Sequence, residues 1–160
     1  MASRRKARIL AFQALYSWDA HYSQTKETAI PEGLLDFSWA GEGPLDEEMT
    51  AFSRLLVTGT IENIVSIDSM IGKHLENWEL ERLNRVDLAV LRMSVYTLMF
   101  QTDMPPSIVI DEAIDISKEF GTDDSYRFVN GVLDSINRSL TAKERRPLTP
   151  KAGADLRTLK

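Results

Sequence analysis

Cysteine is absent from the 160 residues, which excludes disulfides, thiolate nucleophiles and cysteine-ligated zinc. Histidine is nearly absent as well: His21 and His74 are the only two, and neither stands at a metal-binding spacing from another ligand. The chain also lacks a phosphate-binding P-loop, a GxSxG nucleophile elbow and a GxGxxG turn. Paired carboxylates such as Asp111/Glu112 and Asp123/Asp124 fall at expected helix starts, where a structural role accounts for them. These absences argue against an enzyme, and neither a metal nor a cofactor is expected. No apolar run approaches the ~18 residues of a membrane span, and the N-terminus has no uninterrupted apolar stretch of a signal peptide. A soluble, cytoplasmic protein without membrane association is the expectation, and the lack of cysteine fits a reducing compartment.

The net charge of −5 conceals a strong asymmetry. Residues 1–8 carry Arg4, Arg5, Lys6 and Arg8 with no acid, a charge of +4. Residues 138–160 carry +5, which leaves −14 for residues 9–137. Two basic ends therefore flank an acidic body, and a concentrated basic patch sets the field that a phosphate backbone meets. The end after Leu140, with Pro147, Pro150, Gly153 and few apolar residues, has the composition of a disordered basic tail spanning 141–160.

No strand-like alternation persists, and helical periods dominate, so the fold class expected is all-α. A first helix runs from about Ser3 to His21, with Ala7, Leu10, Ala11, Ala14, Leu15 and Trp18 forming its inward stripe. Residues 22–44 read as a connection punctuated by Pro31, Gly33, Gly41, Gly43 and Pro44, with Leu34, Leu35, Phe37 and Trp39 available to pin it down. One long helical stretch covers about Asp46 to Leu75, opening on three acids that suit a helix N-terminus. After a turn around Trp78–Leu83, a central helix extends from Arg85 to about Gln101, apolar around much of its circumference. Pro106 suits the first turn of the next helix, which reaches Phe120, with Gly121 as a left-handed stop. The last helix starts near Thr122–Asp124, with Asp and Ser as caps, and reaches about Leu140. Within it, Gly131 predicts close backbone packing, with Asn130 making a specific hydrogen bond nearby.

Four bases in the first turns of a helix are electrostatically misplaced, since the helix N-terminus is already positive. The mismatch disappears if phosphates bind there. The side facing away from the apolar stripe carries Arg5, Lys6, Arg8, Ile9, Phe12, Gln13 and Tyr16. Cations interleaved with rings and an amide suit single-stranded RNA, where phosphates meet bases of the protein and unstacked nucleobases meet aromatic faces. Packing of Phe12 and Tyr16 on a neighbouring helix stays open at this point. A second candidate surface is Asp124-Ser125-Tyr126-Arg127-Phe128, which offers stacking and a phosphate contact at another helix start.

Four segments in order carry a resemblance. Arg4-Arg5-Lys6-Ala7-Arg8 with Gln13-Ala14-Leu15-Tyr16-Ser17-Trp18 is similar to the opening helix of the NusB family of bacterial transcription antitermination factors. Arg85 to Arg92 resembles its central helix, Ile110-Asp111-Glu112-Ala113-Ile114 with Lys118-Glu119-Phe120-Gly121 the penultimate one, and Phe128 to Asp134 the last. Each motif is weak alone, and four in sequence over about Arg4 to Ile136 are specific.

The resemblance implies an all-helical NusB-like domain over 1–140, built from two roughly perpendicular three-helix bundles, the first about 1–75 and the second about 76–140. It implies binding of the boxA element of nascent ribosomal RNA transcripts, in partnership with the small-subunit ribosomal protein NusE and within a complex of RNA polymerase and other Nus factors. By position it places Arg4, Arg5, Lys6, Arg8 and Gln13 on the RNA-binding helix, Asp124, Ser125, Tyr126, Arg127 and Phe128 on a second RNA-facing segment, and Tyr16 and Asp87 toward the ribosomal protein. Nothing transfers onto the 22–44 connection or the tail. If about four cations meet phosphates, log affinity should fall with log salt at a slope of roughly −3. A helical protein–protein adaptor with incidental RNA contact is the alternative, and Ile9, Phe12 and Tyr16 also suit a homodimer face that masks the RNA surface.

Overall fold

The computed structural model describes residues 2–41, 46–76 and 79–140. The expected 141–160 tail, Gly43, Pro44 and Trp78 lie outside the described residues. Among the described residues the only regular elements are helical: α1 (Ala2–Thr25), α2 (Glu47–Glu62), α3 (Ile64–Lys73), α4 (Arg85–Phe100), α5 (Pro106–Phe120) and α6 (Ser125–Ser139), with short 3-10 turns at Leu34–Asp36, Ser38–Ala40 and Leu80–Arg82. The all-α expectation is met. No single helix among them is long and apolar enough to cross a membrane.

Helix α4 is the hub. Residues 87–99 are all buried, and α4 packs against each of the other five helices. Asn84 starts it, its side chain accepting from the amides of Val86 (2.8 Å) and Asp87 (3.3 Å). Helix α1 lies on α2 and α4 through Ala7, Leu10, Ala11, Leu15 and Trp18, the stripe that its periodicity predicts. The α1–α2 contact is fastened by the buried Ser53 hydroxyl, which donates to the Ala7 carbonyl at 2.8 Å. Gly59 brings α2 close to α4, for a Cβ there would lie 2.3 Å from the Tyr96 ring.

Several expectations need correction. The single helix over 46–75 is two, bent by 73° at Asn63. The Asn63 side chain donates to the Gly59 carbonyl at 2.8 Å and its backbone N–H shares the Gly59 and Thr60 carbonyls, closing α2. Apolar periodicity runs through the bend and gives no sign of it. Gly121 is not left-handed, having φ −96° and ψ −166°. It is needed because a Cβ would lie 2.5 Å from Ser125 Oγ and 2.8 Å from the Ser117 carbonyl. Asp124 occupies the α6 cap position without a side-chain cap bond. Its neighbour Ser125 holds the turn instead, accepting from the Thr122 amide at 2.9 Å. Gly131 has open space where a Cβ would be, and Asn130 is exposed, so neither makes the close contact expected of it.

Candidate nucleic-acid interface

The four bases of α1 fan out in different directions, a consequence of the 100° turn per residue. Arg4 is exposed and lays its guanidinium over the Phe52 ring of α2, 4.2 Å from the centroid. Arg5 reaches α5, where it meets Asp115 at 3.5 Å and Glu119 at 3.1 Å. Lys6 points to solvent. Arg8 turns inward and is only 6% exposed, with Nη2 3.9 Å from Met104 Sδ and its guanidinium 5.5 Å from the Phe52 centroid. Burial pulls its pKa below the ordinary arginine range, with Glu112 opposing.

The outward face of α1 is therefore smaller than the sequence predicts. Arg8 belongs to the buried side, and so does Phe12, whose ring packs 5.2 Å from Phe120 of α5. Ile9 is half-buried against the core. Gln13 is half-buried at the edge, while Tyr16 keeps 48% of its surface exposed. A homodimer face formed by Ile9, Phe12 and Tyr16 loses Phe12 for the same reason.

The second segment begins where α5 hands over to α6. Tyr126 is half-buried beneath two cations, Lys118 at 5.0 Å and Arg127 at 5.2 Å from the ring centroid. Arg127 is exposed and pairs with Asp124 at 3.6 Å. Phe128 is half-buried at the rim of a 280 Å3 concavity that also contains Leu83, Asn84, Asp87 and Thr122. Ser125 is 1% exposed and engaged within its turn, so the expectation of an RNA-facing hydroxyl is corrected.

Asp87 lines this same concavity, whereas Tyr16 stands on α1. Asp87 is 6% exposed, and its Oδ1 has no hydrogen-bond partner among the described residues. Burial raises its carboxyl pKa, partly offset by a hydrogen bond from Ser125. Tyr16 stands one turn beyond Phe12, which touches α5, and three residues before Asp19, which binds Arg85 at the start of α4. It thus lies between those two contacts along the helix axis, turned toward the exposed side.

Sequence reasoning missed the group that holds this surface in place. Arg92, 2% exposed, grips Asp68 of α3 with two bonds of 2.9 Å and gives Nη1 to Asp19 of α1 at 2.8 Å. Arg85 binds the other Asp19 oxygen at 2.8 Å through Nε. Burial lowers the Arg92 pKa, but the two carboxylates outweigh it and hold the guanidinium above its ordinary value. Arg92, the only charge in the apolar run 88–100, was the available signal, since burying a guanidinium is costly unless it is paired.

The NusB family model matches residues 5–138, from Arg5 of the α1 surface through the network beneath it and the Tyr126–Phe128 segment. The chain belongs to the NusB family. The curated transcription antitermination protein NusB of Treponema denticola is 54% identical over 134 residues, covering 83% of this chain and 94% of that protein. Its counterpart in Treponema pallidum strain Nichols is 51% identical over 137 residues, covering 85% and 93%. Among solved structures, T. maritima NusB superposes with a TM-score of 0.74 at 36% identity, covering 89% of this chain and 95% of that one. A NusB determined with NusE and double-stranded RNA gives 0.74 at 29% identity, covering 88% and 99%. The NusB fold expected from the resemblance is thereby established.

Proposed function

We propose that the chain is a transcription antitermination factor that binds the boxA element of nascent ribosomal RNA transcripts together with the ribosomal protein NusE. The observation that carries this is the family match, which is continuous across the basic α1 surface and the Tyr126–Phe128 segment. A solved relative held with NusE and RNA supports the same pairing of partners. The complex works in the cytoplasm with RNA polymerase and other Nus factors, and the chain contributes binding without catalysis. Residues 1–140 act as one NusB-like unit, its two bundles meeting near residue 75.

Arg4, Arg5 and Lys6 supply phosphate contacts, and Gln13 a base-edge hydrogen bond. Tyr126, Arg127 and Phe128 continue the track at the start of α6, with Asp124 holding Arg127. Arg8 and Ser125 act from beneath, through packing. Tyr16 and Asp87 face NusE, and the unsatisfied Asp87 Oδ1 is an acceptor awaiting a donor from that partner. Phosphate contacts provide affinity, while stacking and base edges provide preference.

The test is fluorescence anisotropy with a boxA-type RNA oligonucleotide and NusE at several salt concentrations. The double variant Arg5→Ala/Lys6→Ala should bind more weakly and flatten the log–log salt slope by about 1.4, the value for two lost phosphate contacts. Unchanged affinity and slope would reject the α1 surface. The alternative, a protein–protein adaptor with incidental RNA contact, requires equal affinity for boxA-like and scrambled RNA, with or without NusE.

A further inference from the structure

Beside the outward face of α1 the 30s connection builds a second feature. Trp39 is 43% exposed, yet it is not loose: its indole N–H donates to the Leu34 carbonyl at 2.9 Å, and its ring packs 5.7 Å from Phe37. Phe37 is completely buried and adopts φ 59°, a left-handed conformation that a bulky residue takes only when its surroundings enforce it. The connection is thus pinned from below, and one part of an anchored indole is left facing outward. Between Trp39 and α1 lies a concavity of 480 Å3, with Gln13 and Ser17 on the helix side and Pro31, Glu32 and Leu34 on the other.

We propose that this concavity is a nucleobase subsite, in which one unstacked base of the RNA carried by α1 stacks on Trp39 and is read by Gln13. The inference rests on the RNA-binding function proposed above and extends it to a segment outside the motifs that carry the family resemblance. Three observations favour a base. First, the indole N–H is already consumed, so Trp39 offers only an apolar ring, which suits stacking on any base face. Second, Gln13 brings both a donor and an acceptor to the rim, the pair required for a base edge. Third, the site is continuous with the phosphate-binding end of α1: Lys6 and Gln13 lie two helical turns apart, about 10 Å along the axis. Glu32 excludes a phosphate from the concavity and accepts from the exocyclic amine of a base, so adenine, cytosine or guanine fits better than uracil.

The experiment compares wild type with Trp39→Ala, Trp39→Phe and Gln13→Ala, using a 12-nucleotide boxA-type RNA in which each base in turn is replaced by an abasic site. Circular dichroism and Tm confirm that each variant is folded, and Gln13→Ala, on a helix surface, keeps the test valid if Trp39→Ala is not. With wild type, one abasic position should lower affinity about 10-fold, the scale of a single base–aromatic stack. That penalty should vanish in Trp39→Ala, remain largely intact in Trp39→Phe, and shrink in Gln13→Ala. The subsite is overturned if folded Trp39→Ala binds all RNAs as wild type does, or if the variant lowers NusE affinity alone, which would assign the concavity to a protein. The Arg5→Ala/Lys6→Ala variant separates the two levels. If those cations matter and Trp39 does not, only the subsite fails; if neither matters, the RNA surface itself is wrong.

Discussion

Two sets of arginine–carboxylate pairs stand on α1, and they do opposite things. Near the C-terminal end, Asp19 is locked into a buried network with Arg92, Arg85 and, through Arg92, Asp68. Near the N-terminal end, Arg5 is held by Asp115 and Glu119, both more than half exposed. In the interior, removing one partner leaves an uncompensated charge in a low dielectric, so the network behaves as a single structural joint. At the surface, water and salt screen the attraction, so carboxylates can be exchanged for phosphates at small cost. The same chemical pair is thus a fixture in one place and a replaceable ligand in the other, and burial alone makes the difference.

Breaking the joint gives the largest effect. Arg92→Met should destabilise the fold by about 3–5 kcal/mol, because half-buried Asp68 loses its counter-charge and buried Asp19 keeps only Arg85. Urea denaturation measures this directly, and a loss below about 1 kcal/mol would put the network in the same class as the surface pairs. Loosening the surface pairs gives a smaller effect of opposite sign. Asp115→Asn/Glu119→Gln should raise RNA affinity about 2- to 5-fold by freeing Arg5 from its internal competitors. In an Arg5→Ala background the gain should disappear; if it persists, the acids act through general repulsion.

The smallest effect concerns Asp87, which has burial without a basic partner. Its raised pKa means that the folded chain holds the proton more firmly than the unfolded one. Its contribution to stability is therefore full below the ordinary carboxylate range and is lost as pH rises through the folded pKa. Asp87→Asn should raise Tm slightly at neutral pH and flatten that part of the pH profile, while NusE binding weakens. A Tm that falls equally at pH 4 and pH 7 would show that the carboxylate is satisfied in the fold.

Much of this architecture was legible in advance, because apolar residues at three- and four-residue steps can only be buried along one helix face. The α1 stripe, the central position of α4 and Pro106 in the first turn of α5 all follow from local pattern. Periodicity also bears on Arg8, which lies seven residues before Leu15 and fourteen before Tyr22, in phase with the buried side. Register, not charge, decides where its side chain goes. The bend at Asn63 was not legible, since apolar residues continue on both sides of it and the cause is a side-chain hydrogen bond. Nor was the fate of Ser125, which depends on the close approach of Gly121. The bases of α1 announced an affinity for polyanions, but which of them meet solvent depends on what α2 and α5 place beside each one.

The Ser53–Ala7 bond, buried and 46 residues apart in sequence, bears on kinetics as well as on packing. It ties down the first turns of α1 immediately behind Arg4, Arg5 and Lys6, at the end of a helix where fraying is ordinarily greatest. The cationic platform is consequently preorganised, and association need not include a folding step in the protein. Ordering entropy falls on the RNA, so the encounter rate should track how readily its bases unstack and how strongly salt screens its approach.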